Sequence, residues 1–407
     1  MTTATQVLER CAHLDRYSSD PRVLTRVHLS PEHRFANDRT AMWMQQAGLT
    51  TWQDAAGNQW GRREGATAGL PALVLGSHLD TVPDAGSFDG MLGVVMAIAV
   101  AERLRHVALP FALEVVGFSD EEGTRFGKAL LGSQAVAGLW DEDWWALRDR
   151  SGTTLLTAFE EFGLDPRRVG EAVRRPDELV GYLEAHIEQG PRLEAADEAL
   201  GFVTSIAGAR RFRIAVLGEA RHAGGTPYPR RRDALVGAGE VVVAIERLAR
   251  ESRCLATVGR LEVQPGAVNV IPGRVDLSLD LRAETDAERD AMWETIHAEL
   301  TSICEGRRLR AEVVETHVAA SACCAPWLQD AVVAGIRATG HDAPSGLWSP
   351  AGHDAMAMAE VTDIGMLFLR CHDGISHHPD ENVLEDDVAV GLDAFEQTVL
   401  AVARAEA

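Results

Sequence analysis

Apolar residues along this chain come in two textures, and the change between them falls near residue 208. Before it, short and nearly continuous apolar runs at 73–75, 111–118 and 179–183 each lead into a loop bearing acidic residues or histidines. Unalternating runs of that length predict strands buried on both faces, as in a parallel sheet. Helical stretches lie around them. Residues 1–50 carry the start signal Ser30-Pro31-Glu32, and 90–106 is a buried helix too short to span a membrane. Residues 50–62 read as two short strands around the turn Ala56-Gly57-Asn58, and 141–177, rich in Trp and charge, as helices near the surface.

After residue 208 the polarity alternates. Period-two patterns at 211–217, 257–263, 275–282 and 309–317 predict strands, and 232–251 and 287–306 have helical periodicity. Strand, helix, two strands, helix, strand is the order of a ferredoxin-like α/β sandwich. Near residue 325 the first texture returns, with a helix, the loop Ser349-Pro350-Ala351-Gly352-His353-Asp354, a strand at 365–370 and a closing helix. The expected fold is α/β. A mostly parallel central sheet flanked by helices is built from 1–208 and 324–407, and a ferredoxin-like α/β domain is inserted over 209–323.

Composition narrows the partners. A formal charge of −22 over 407 residues disfavours nucleic acid and anionic membranes. The clusters Arg210-Arg211 and Arg230-Arg231-Arg232 are then local features. Six cysteines show no C-x-x-C spacing, which suits reduced, mostly buried thiols. No apolar segment of signal-peptide type stands at residues 1–18, so a cytoplasmic protein is expected.

The chemistry sits where the apolar runs end. His78 and Asp80, two residues apart, leave their strand on one face, so Asp80 can orient the His78 imidazole. A Pro- and Gly-containing loop then returns Asp89, followed by Gly90. Further loops offer Glu121-Glu122, His186 and His377-His378. Each is ordinary alone. Five loops offering metal-type ligands, most following a strand, are not easily independent. Two divalent cations, Zn2+ or Mn2+, account for the count: Asp89 bridges them, His78 and His186 complete one, and Glu122 and His377 the other. Paired cations about 3.5–4 Å apart acidify water and polarise a carbonyl oxygen. Glu121, turned away from the ligand direction of Glu122, is free to act as general base.

Taken in order, Gly76-Ser77-His78-Leu79-Asp80, Phe88-Asp89-Gly90, Asp120-Glu121-Glu122-Gly123-Thr124-Arg125-Phe126, Glu184-Ala185-His186-Ile187-Glu188-Gln189-Gly190 and Gly374-Ile375-Ser376-His377 resemble the di-metal M20 peptidase family. They are most similar to its hydantoinase/carbamoylase branch, which comprises N-carbamoyl-L-amino acid hydrolases, β-ureidopropionases and allantoate amidohydrolases. The histidine at 186 marks that branch, since ordinary M20 peptidases carry an acidic ligand there. The resemblance spans essentially the whole chain. It implies that the inserted domain is a lid that forms a homodimer. His222 would stabilise an oxyanion in the partner subunit's site. Asn269 and Arg282 would hold the carboxylate of a small ureide or N-carbamoyl substrate, with Gln189 and the His353 loop as further substrate contacts. Two departures, Pro350 and Gly225, fall near the expected substrate. The ligand position aligns with His377, not His378.

The 24–33 and 366–371 segments look most similar to allantoate amidohydrolases, a resemblance that implies release of ammonia and a carbamate that falls apart to carbon dioxide. The alternative is an N-carbamoyl-L-amino acid hydrolase or β-ureidopropionase. Less favoured are a dipeptidase or deacylase, and a catalytically silent homologue.

Overall fold

A computed structural model describes residues 2–406. The described residues divide into two compact units. One runs to Thr204 and resumes over Cys323–Leu347 and from His353 onward; the other comprises Ser205–Ala322 and Trp348–Gly352. The segment 348–352, expected with the first domain, clusters with the second unit. Its anchor there is local: Ser349 accepts a hydrogen bond at its carbonyl from the Ala207 N–H, 2.8 Å.

The first unit is organised by a nine-stranded mixed sheet. Seven of its strands are β1 (Thr50–Gln53), β2 (Gln59–Arg63), β3 (Ala72–His78), β4 (Ala112–Phe118), β5 (Leu179–Ile187), β6 (Leu200–Ile206) and β7 (Ile364–Leu369), in the order β1-β2-β4-β3-β5-β7-β6. The short segments Ala322–Cys323 and Ser345–Ser349 pair with β6. The four central strands β4, β3, β5 and β7 are parallel, and the flanking pairings are antiparallel. Every residue of β3 and β4 is buried, as unalternating runs require.

The helix Met91–Arg103 packs on β3 and β5, and Met91 to Ala101 are all buried. Each large side chain buried there contributes roughly 1.5–3 kcal/mol. The approach is close because residue 93 lacks a side chain: a Cβ at Gly93 would lie 2.1 Å from the Ala185 carbonyl oxygen. Ser30 caps the helix Pro31–Gln46 with Pro at its first position, matching the start signal in the sequence. The Trp-rich stretch forms the short helix Leu155–Glu161 with flanking 3-10 turns.

In the second unit, strand Gly208–Leu217 is followed by helix Ala234–Arg250, short strands Leu255–Thr257 and Leu261–Gln264, strand Arg274–Ala283, helix Asp286–Arg307 and strand Arg310–Ala319. All pairings in this sheet are antiparallel, and 208–217 and 274–283 pair along their full lengths at its centre. Val275, Leu277, Leu279, Leu281 and Ala283 alternate inward, and Phe212 stacks on Trp293 at 3.7 Å. The single strand expected at 257–263 is two pieces. At the break the Arg260 N–H bonds the Ser278 hydroxyl instead of a ladder carbonyl. The strand Leu200–Ile206 was not expected; Gly201, Thr204 and Ser205 dilute its apolar signal.

All six cysteines are free, and only Cys323 is exposed. Among the described residues no helix is long and apolar enough to cross a membrane.

Gly93→Ala tests the helix-to-strand contact. It is expected to destabilise the protein by about 1–3 kcal/mol, read as a lower urea midpoint with an unchanged m-value. An unchanged midpoint would mean that the contact is not close-packed.

Candidate functional site

Parallel strands deliver all their carboxyl ends to one edge of the sheet, and the loops leaving β3, β4, β5 and β7 meet there. His78 closes β3, level with Phe118 of β4. Its ring lies against Gly90, where a Cβ would come within 2.4 Å of the imidazole. His78 Nδ1 lies 3.1 Å from the Asp80 carbonyl oxygen, and His186 Nδ1 lies 2.9 Å from the Ile187 carbonyl oxygen. Each contact places the proton on Nδ1 and leaves Nε2 as a lone pair. Both lone pairs face one oxygen of Asp89: Oδ1 is 3.5 Å from His78 Nε2 and 3.1 Å from His186 Nε2.

The other Asp89 oxygen faces a different set. Oδ2 is 2.9 Å from His377 Nε2, which lies 3.5 Å from Glu122 Oε1. Asp89 therefore stands between two groups, His78 with His186 and Glu122 with His377. Within each triad that includes Asp89, one ligand atom from each residue falls within 4.8 Å of the others. His78, Glu121 and Glu122 form a further such grouping, as do Glu184, His186 and His353. The last is incompatible with the first triad. Glu184 already accepts from the Ser77 hydroxyl and the Ala355 N–H, and His186 has one lone pair to give.

The electrostatics match a cation-binding cluster. Burial, then the neighbouring Glu122, push the Glu121 carboxyl well above the usual carboxylate range. Burial and Asp89 push Glu122 up to about 7. Burial also favours neutral Asp89, yet the neighbouring imidazoles of His186, His377 and His78 hold it well below its usual value. Its bond to His377 raises that imidazole to about 9. His186 Nε2 is buried and makes no well-formed hydrogen bond, although Asp89 lies beside it. A buried lone pair facing a carboxylate is satisfied by a divalent cation, and the nitrogen and oxygen donors fit zinc or manganese.

Asp80 does more than face His78. Its carboxylate accepts the backbone N–H groups of Glu121, 2.9 Å, and Glu122, 3.2 Å, and so fixes the turn after β4. Gln189, with φ +55°, donates from Nε2 to Asp89 Oδ2 at 2.9 Å. His353 is buried, with its ring edge-on to His186 at 4.5 Å. His378 is exposed, and its Nδ1 accepts from the Asp380 N–H instead. His222, Asn269 and Arg282 belong to the second unit. His222 and Asn269 lie together, since 221–222 pairs with 270–271 and the Ala223 N–H bonds the Asn269 carbonyl. Arg282 stands at the other end of strand Arg274–Ala283, bonded to Asp280 and to the Pro350 carbonyl oxygen at 2.8 Å.

Several site-supporting residues escaped the sequence reading. Arg26 is fully buried; its guanidinium donates to the carbonyls of Leu79, Leu14 and Tyr17, and its backbone pairs with Thr81 on both sides. His28 Nδ1 bonds the Ser119 carbonyl at 2.8 Å, and Arg125 binds the His28 and Leu29 carbonyls. One short segment thus braces both the β3 and β4 loops. Glu381 accepts from the N–H groups of Phe88 and Asp89 and from the Ser376 hydroxyl. Arg26 and His33 fall in a segment already singled out by resemblance, whereas no local pattern flags Glu381.

The sequence pattern of peptidase family M20/M25/M40 matches residues 74–401. The chain belongs to that family. It is similar to an N-carbamoyl-L-amino acid amidohydrolase of Geobacillus stearothermophilus, 38% identical over 386 residues that cover 94% of each chain. It is also similar to a probable allantoate deiminase of Oryza sativa subsp. japonica, 39% identical over 94% of this chain and 85% of that one. Among solved structures, an amidase of the hydantoinase/carbamoylase family from Burkholderia multivorans superimposes with a TM-score of 0.91 at 31% identity, covering 98% of both chains. This M20 member shares its fold alone with a dinuclear metal binding peptidase of Bacillus subtilis, at a TM-score of 0.65 and 13% identity.

Burial lowers the His28 imidazole to about 4 and that of His33 to about 3, so both are neutral in the folded protein. The unfolded chain binds more protons below pH 6.5, so each histidine contributes stability that is present above that pH and lost as pH falls towards its folded value. The stability advantage of the parent over His33→Gln is expected to shrink by about 2 kcal/mol between pH 7.5 and pH 5, as measured by urea unfolding at the two pH values. A constant difference would refute the burial argument.

Proposed function

We propose that this M20 member is an amidohydrolase that cleaves a ureido C–N bond, with allantoate as substrate and ammonia and carbon dioxide as products. The observation that carries the reading is Asp89, whose two oxygens face two separate nitrogen- and oxygen-donor sets. His78 and His186 would hold one divalent cation, Glu122 and His377 the other, and Asp89 both. Such a pair supplies Lewis acidity towards a carbonyl oxygen and lowers the pKa of water.

The chain's own groups do the rest. Glu121 is half-buried beside His78 and has a raised carboxyl pKa, which suits a group that takes a proton from the attacking water and returns it to the leaving nitrogen. Asp80 fixes Glu121 by its backbone and orients His78. Gln189 and His353, both against the ligand set, serve as substrate contacts. Arg282 offers a planar fork to the substrate carboxylate, with Asn269 as a second donor, and His222 stabilises the oxyanion.

The spacing in the second unit supports a homodimer. Eight residues of extended strand, about 26 Å, separate Arg282 from the end near His222 and Asn269. One small substrate touched by both groups would therefore draw them from two copies. On this reading the second unit is a ferredoxin-like lid and dimerisation module, its two helices packed on a sheet with the two long strands at the centre. The expected setting is cytoplasmic.

The second reading, an N-carbamoyl-L-amino acid hydrolase with the same machinery, is favoured by the Geobacillus relative. Ammonia release by manganese-reconstituted protein, with allantoate compared against N-carbamoyl-L-amino acids, decides between them. No release from any of these substrates would overturn both. Glu121→Ala is expected to bind manganese as the parent does and to lose turnover by about 10²-fold or more. Equal turnover in variant and parent would remove Glu121 from the chemistry.

A further inference from the structure

Asp89 can face two donor sets only if its backbone is held still, and residues 81–90 contain no strand or helix to hold it. The grip comes from Glu381. Its Oε1 accepts the N–H groups of Phe88 at 2.8 Å and Asp89 at 3.1 Å, and its Oε2 accepts the Ser376 hydroxyl at 2.9 Å. The same hydroxyl lies 3.0 Å from Asp89 Oδ2. Glu381 follows His377 by four residues, and its own N–H closes a turn on the His378 carbonyl. The Asp89 loop rests directly on it, since a Cβ at Gly86 would come within 2.3–2.4 Å of the Glu381 side chain.

This carboxylate is 5% exposed, stands near Asp89, and forms no salt bridge to any described lysine or arginine. Burial and the nearby Asp89 both disfavour its charged form, and what holds the carboxyl in place is the set of donors from the Asp89 loop and Ser376. Its two oxygens tie the backbone of the Asp89 loop to the segment carrying His377. We propose that Glu381 is a positioning residue that sets the Asp89 carboxylate across the two cation positions, so that Oδ1 serves His78 and His186 while Oδ2 serves Glu122 and His377. This rests on the two-cation reading above. Without the clamp, Asp89 can turn fully to one set and abandon the other.

The clamp needs acceptors in the right places, and a glutamine keeps enough of them. Its carbonyl oxygen can take both N–H groups, and its amide can donate to Ser376 Oγ, leaving the hydroxyl proton for Asp89. The test is manganese(II) titration of metal-stripped protein, followed by the spin-resonance signal of free manganese. The parent is expected to show two tight sites, and Glu381→Gln to stay within about threefold of it. Glu381→Ala is expected to weaken one site selectively by about 10–100-fold. Gly86→Ala, which pushes the loop off the clamp, is expected to do the same.

A folded Glu381→Ala that binds two manganese ions as tightly as the parent would overturn the proposal. So would a Glu381→Gln as defective as Glu381→Ala. If Glu381→Ala does not fold, Gly86→Ala decides: selective weakening of one site supports the clamp, and unchanged affinity overturns it. Should the parent itself bind fewer than two ions, the two-cation reading fails. The clamp is then read from amide hydrogen exchange at Phe88 and Asp89. Faster exchange in Gly86→Ala than in the parent supports it, and equal exchange overturns it.

Discussion

A carboxylate taken out of water must be stabilised by whatever surrounds it, and around Asp89 that work falls to three imidazoles, with the Gln189 amide and the Ser376 hydroxyl beside them. No described lysine or arginine pairs with it; two histidines at strand ends, His78 and His186, and one on a loop, His377, converge on its two oxygens. This single requirement organises the first unit. Convergence demands strand ends that are level, and the parallel register of β3, β4, β5 and β7 provides them. It also demands room at close quarters, which glycine provides at 90 beside the His78 ring. The sheet thus supplies the directions of the ligands, and the loops supply their separation.

A second layer of contacts keeps these loops from relaxing. Arg26 and His28 reach the backbone of the β3 and β4 loops from a segment that carries no candidate ligand. Arg26 is a buried cation whose guanidinium donates to carbonyls and a thioether, with Asp15 and Asp80 as the carboxylates that favour its charge. It therefore adds positive potential beneath an acidic cluster while holding the chain on either side of Asp80. The Asp80 carboxylate in turn orders Glu121 and Glu122. Position passes through a few hydrogen bonds from a segment without candidate ligands to one that carries them.

Which parts of this were readable in the sequence follows from how each residue is tethered. His78, Glu121, Glu122 and His186 lie within a few residues of an apolar run, so a strand assignment carries them to the sheet edge. Glu381 and Arg26 act on partners far away in the chain, and no periodicity or short motif encodes such a pairing. The strand Leu200–Ile206 escaped for a different reason: its polar and glycine residues blur the pattern, and its partner strand supplies the specification. The break at Arg260 escaped because a side chain, Ser278 Oγ, replaces a ladder carbonyl. The order of the ligand loops was legible; the hydrogen bonds that stiffen them were not.

The bond from the Asp89 N–H to Glu381 joins residues 292 apart, and the one from Arg26 to Leu79 joins residues 53 apart. These distances set a timetable. As the chain leaves the ribosome, the brace on the β3 loop can close early, while Asp89 waits for the inserted unit and most of the remaining chain to emerge. Loop-closure entropy delays such a contact further, so the ligand cluster is among the last parts to form. Until then the donors on the earlier loops have no second set to face across Asp89. The two-sided arrangement around Asp89 is thereby deferred until the fold is complete.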